Sequence, residues 1–176
     1  DGITAEDTTL ASNPYNAEKN AAINAMNTYE SIGNINFSET QEFEDTNISW
    51  IFVNDEEATK VTGLGNTLGF AWMPGGLNSG QTSINSEISL GSNADAQQPG
   101  SYYYLTYIHE LGHTLGLKHP HEEFTYNQTT YPTFPGVEHD SPQQGGDNGL
   151  NATPWTVMTY NNLNANEYSP SYNVRY

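Results

Sequence analysis

Three of the five histidines in this chain fall inside one stretch, HELGHTLGLKHP, residues 109–120. His109 and His113 are four apart, and His119 follows six later. On a helix, imidazoles four apart stand about 6 Å apart along the axis and about 40° apart in direction, so both can chelate one divalent ion. A third ligand must come from beyond the helix. Gly116 offers the way round, because glycine takes up the left-handed backbone that ends a helix sharply. Pro120 then blocks any resumption of helix. Three neutral nitrogens, no sulfur and an open fourth position describe a catalytic zinc site rather than a structural one. Glu110, next to His109, is the natural general base for a zinc-activated water.

These residues need a helix to position them, and the pattern predicts one over 102–115, with Ser101 or Gly100 near its cap. Tyr104, Ile108, Leu111 and Leu115 form an apolar stripe at i, i+4, i+7 and i+11. His109 and His113 lie about 140–160° from that stripe, which is not where histidines of the core would sit. A second amphipathic helix is expected over about 16–32, carrying Ala22, Ile23, Ala25, Met26 and Tyr29, with Asn13 or Asn16 as cap and Gly33 as stop. Strands are expected at NINFSE, at NISWIFVND (47–55) and at LGFAWMPG (68–75). The polar, alternating QTSINSEISL (81–90) suggests an edge strand. From 121 to 155 the chain reads as a long loop rich in proline and glycine, the kind of stretch that tends to be functional.

At this point the sequence resembles a known family. HExxHxxGxxH followed by a methionine turn is the signature of the metzincin zinc metalloproteases. Here it runs from His109 through Glu110, His113 and Gly116 to His119, with the turn at Thr156-Val157-Met158-Thr159-Tyr160. The His119-Pro120 ending, the turn and FAWMPG ahead of the helix are most similar to the serralysin branch, secreted bacterial endopeptidases; the similarity covers about residues 14–162. The resemblance implies an α+β fold of the metzincin type. Its parts are a twisted mixed β-sheet with an N-terminal helix and an active-site helix, and an irregular C-terminal subdomain below the cleft. It implies one catalytic domain over 1–176, divided near residue 116. It implies zinc on His109, His113 and His119, with Glu110 as base and Met158 as an apolar floor. Tyr160 would be an additional, switchable zinc ligand that turns to stabilise the oxyanion. Strand 81–90 would border the substrate.

There are departures from the serralysin pattern. No GGxGxDxUx calcium repeat is present, and the helix expected after the methionine turn is short or missing. Asp147 is a lone candidate calcium ligand, and one carboxylate is too few to define a site. His121 and His139 read as exposed loop histidines.

Composition narrows the function classes. With 21 acidic against four basic residues, a net charge of −17 opposes binding to nucleic acid or anionic membranes. There is no cysteine and no run of about 18 apolar residues. The N-terminus has neither a basic n-region nor an apolar h-region, so any export signal is expected to be already removed. Together with this composition, the resemblance implies a secreted, monomeric zinc endopeptidase acting on protein or peptide substrates. The alternatives are a catalytically weak zinc-binding interaction module on the same scaffold, or a metallohydrolase of non-peptide amides or esters.

Overall fold

The computed structural model describes residues 14–40, 42–90, 97–153 and 155–161. The chain divides into two compact units, Asp1–Gly116 and Leu117–Tyr176.

The first unit opens with helix α1 (Pro14–Ile32). It begins two residues earlier than expected, at a proline, which is well suited to the first helical position; Asn13 lies outside the described residues. Ala17, Ala21, Ala22 and Ala25 make its buried face. Small side chains there allow close packing on helix α4 (Tyr102–Thr114). Thr28 Oγ1 and Tyr104 Oη share a 3.0 Å hydrogen bond across that contact. The Tyr29 hydroxyl donates to the Ile108 carbonyl at 3.0 Å. Leu111, Tyr107, Tyr104 and Ile84 complete the core with the alanines. Leu111 and Tyr107 are wholly buried.

The sheet has three strands in the order β1-β3-β2. Strands β1 (Ser49–Val53) and β3 (Gln81–Asn85) are parallel, and β2 (Gly69–Ala71) pairs with β3 antiparallel. This overturns the expectation of an edge strand at 81–90. Strand β3 is central, and Thr82, Ser83, Ile84 and Asn85 are all buried; Ser86–Leu90 turn into a short helix, α3. The polar residues looked solvated but are satisfied internally. Thr82 Oγ1 lies 2.7 Å from Thr114 Oγ1, and Asn85 Nδ2 donates to Asp55 Oδ1 and the Thr67 carbonyl, each at 3.0 Å. NINFSE forms no strand.

Helix α2 (Asp55–Thr62), not expected from the sequence, begins at the last residue of the expected strand 47–55, whose observed part ends at Val53. Asn54 and Glu57 form a reciprocal capping box: Asn54 Oδ1 accepts from the Glu57 amide at 2.9 Å, and Glu57 Oε2 accepts from the Asn54 amide at 3.1 Å. Helix α4 is capped as expected by Ser101, whose Oγ accepts from the Tyr104 amide at 3.2 Å.

Among the described residues, the second unit contains one hairpin, β4 (Phe124–Tyr126) and β5 (Thr129–Tyr131). Its turn residues Asn127 and Gln128 both have positive φ, 47° and 64°, the backbone a two-residue hairpin turn requires. A 3₁₀ turn spans Asp147–Gly149. The remaining described chain is held mainly by turns and by the amides of Asn151 and Asn161.

Candidate metal centre

Helix α4 places His109 and His113 on one side, as their spacing requires. Their Nε2 atoms approach to 3.2 Å, and the rings meet edge to face with centroids 4.8 Å apart. The two face away from the Leu111 stripe, yet both are more than nine-tenths buried. Two imidazole nitrogens brought this close in a buried place fit a shared cation, and nitrogen donors suit zinc.

Glu110 lies between them in sequence and is buried as well, and that burial pushes its carboxyl up to about 8. A divalent cation nearby favours the ionised form and would draw it back down. The edge strand β2 makes room for this side chain. A Cβ on Gly69 would stand 2.8 Å from Glu110 Cγ and 2.8 Å from the Ser83 carbonyl oxygen, so only glycine fits without displacement. Gly69 escaped the sequence reading; a glycine inside an apolar strand pattern is the signal that marks such a close approach.

Helix α4 ends as Gly116 enters the left-handed region at φ 99°. In the second unit, His119 is held by Glu122. The imidazole Nδ1–H donates to Glu122 Oε1 at 2.7 Å, and the His119 amide donates to Oε2 at 3.0 Å. A carboxylate only accepts, so this pair fixes the tautomer with the lone pair on Nε2, as metal-binding histidines require. The Tyr160 ring lies 4.5 Å from that of His119, and Tyr160 is exposed. Met158 is buried. Its turn is fixed by Thr159, whose Oγ1 donates to Asn151 Oδ1 at 2.7 Å.

His121 departs from expectation: it is 8% exposed, not a solvated loop residue. It stacks on His119 with centroids 5.1 Å apart at 18°, and Asp140 donates its amide to the His121 carbonyl at 3.0 Å. Burial holds its imidazole below the usual range. The covering comes from the fold of the loop, which no local pattern announces. His139 is exposed, beside Asp140 at 3.1 Å. Among the described residues, Asp147 joins no cluster of three imidazole or carboxylate groups.

Residues 3–143 match the Matrixin peptidase family, and the chain belongs to that family of zinc metalloproteases. Within it the likeness is to serralysins. The chain is 31% identical over 118 residues to a serralysin of Photorhabdus luminescens, covering 66% of this chain and 22% of that protein. It is 29% identical over 125 residues to a serralysin of Photorhabdus laumondii subsp. laumondii, covering 67% and 23% respectively. The matched stretch therefore spans less than a quarter of either relative. The metzincin-type, serralysin-like character read from the motif is borne out. So is the coarse fold, α+β with a small mixed sheet. The family implies zinc and peptide or protein substrates.

Proposed function

We propose that this chain is the catalytic domain of a secreted zinc endopeptidase, with His109, His113 and His119 holding the ion and Tyr160 as a further, exchangeable ligand. The observation that carries this reading is the 3.2 Å approach of the His109 and His113 Nε2 atoms on the helix that also bears Glu110. The tautomer that Glu122 imposes on His119 supports the third ligand. When bound, zinc supplies Lewis acidity toward water and the scissile carbonyl.

The chain's own residues do the rest. The Glu110 carboxylate takes a proton from the attacking water and passes it to the departing amine nitrogen. Tyr160, exposed and able to swing, donates its phenolic proton in a hydrogen bond to the oxyanion that develops on the former carbonyl oxygen. Met158 packs as an apolar floor. The edge available to an extended substrate is β2, not 81–90, since β2 ends the sheet and Gly69 lies against Glu110.

Glu110→Ala is the test. The variant should retain one zinc per chain by metal analysis and lose gelatin cleavage by at least about 100-fold. Cleavage at the wild-type rate would show that Glu110 is not the base. Hydrolysis of gelatin by the wild type, abolished by 1,10-phenanthroline, separates the enzyme from a non-catalytic binding module.

A further inference from the structure

His121 has no role in the proposed chemistry, yet it is more than nine-tenths buried and its Nδ1 has no hydrogen-bond partner among the described residues. His119, His121 and Glu122 each offer a ligand atom, and these atoms lie within 4.8 Å of one another. The backbone around them is pinned: Phe134 donates its amide to the Pro120 carbonyl at 2.8 Å, Asp140 to that of His121 at 3.0 Å, and Glu122 to that of His119 at 3.1 Å. Ligands on one tetrahedral ion at 2.0–2.1 Å sit about 3.3 Å from each other. The three ligand atoms thus lie somewhat wider apart than a bound ion would hold them.

We propose that His119, His121 and Glu122 form a second metal site, selective for first-row transition ions such as zinc, nickel or copper. Two imidazoles and one carboxylate are a donor set for these ions rather than for magnesium or calcium. The ion would take His119 through Nδ1, the nitrogen 2.7 Å from Glu122, replacing the proton now held between them. A neutral imidazole carries one proton, so a metal on Nδ1 places that proton on Nε2. His119 then leaves the zinc set, and excess metal switches the site off. The competition rests on the zinc centre proposed above; the second site itself does not.

Metal-free protein is titrated with Zn²⁺ in equilibrium dialysis, with excess Mg²⁺ present to mask sites made of carboxylates alone. The wild type should bind two equivalents, one tight and one weaker, and millimolar Zn²⁺ should suppress its gelatin cleavage. His121→Ala should lose the weaker equivalent alone, its affinity falling at least about tenfold, with unchanged circular dichroism. His121→Gln, closer in volume, serves if the alanine variant misfolds. His109→Ala combined with His113→Ala should lose the tight equivalent alone. One equivalent in the wild type, or a weaker event that survives both His121 variants, overturns the inference. A tight event that survives loss of His109 and His113 instead sinks the zinc-centre reading and leaves the second site standing.

Discussion

Helix α4 and the stretch from Leu117 to Asn161 are built by opposite means. The helix is positioned by apolar burial: Leu111 and Tyr107 have no exposed surface, and they meet Ala25 and Ile84. In the second unit the wholly buried residue at the centre of the hydrogen bonding is an amide. Asn151 donates its backbone N–H to the Gly145 carbonyl at 2.8 Å and its side chain to the Gln144 carbonyl at 2.6 Å. Its own carbonyl accepts from Asn161 Nδ2 at 2.9 Å, and its side-chain oxygen accepts from Thr159. One asparagine there does what a sheet ladder does elsewhere, and it fixes the turn that carries Met158 and Tyr160. Apolar packing is tolerant of chemistry and sensitive to volume; an amide cross-link is the reverse.

Substitutions separate these two modes of construction. Leu111→Ala should cost most, about 2–5 kcal/mol in urea unfolding, because it leaves a cavity between α1, α4 and the sheet. Leu111→Met, nearly equal in volume, should cost less than about 1.5 kcal/mol. Asn151→Ala should cost about 1–3 kcal/mol through its unsatisfied partners. Its damage should be local, with limited proteolysis cutting the Leu117–Tyr176 unit before α4. Asn151→Asp, which keeps shape but loses the donor to Gln144, should resemble the alanine variant. Equal losses for Leu111→Met and Leu111→Ala would erase the distinction.

Smaller effects follow at the edges of the first unit. Asn54→Ala removes the capping box of α2 and should cost about 1 kcal/mol. Glu18 is a buried carboxyl on α1 that accepts a hydrogen bond from Ser86 Oγ, and burial outweighs that bond to raise its pKa. Its folded value lies above its unfolded one, so the folded state binds more protons. Stability is therefore full below the ordinary glutamic acid range, about pH 4.3, and falls as pH rises through the folded value. Glu18→Gln should raise Tm at neutral pH and lose that advantage near pH 4. A variant less stable than wild type at neutral pH would contradict this sign.

What was legible in the sequence follows the same division. Period, spacing and caps revealed both long helices, Ser101 and the His109–His113 pair, because each is a local rule with a short reach. Strand β3 was misplaced at an edge because Thr82 and Asn85 are polar, and their partners Thr114, Thr67 and Asp55 are distant in sequence. Helix α2 was missed although Asn54 and Glu57 carry the capping signature, since the apolar run before them dominated the pattern. Gly69 and His121 owe their places to tertiary contacts alone. Nothing in the 121–155 loop announces that Asn151 is its anchor, because cross-links between turns have no period.

The proposed zinc centre requires nitrogens from His109, His113 and His119 on a single ion. X-ray absorption at the zinc edge, on protein loaded with one equivalent, tests it most directly. Three imidazole nitrogens at about 2.0–2.1 Å are predicted, falling to two in His119→Ala. A spectrum without imidazole scattering, or one that His119→Ala leaves unchanged, would contradict the account.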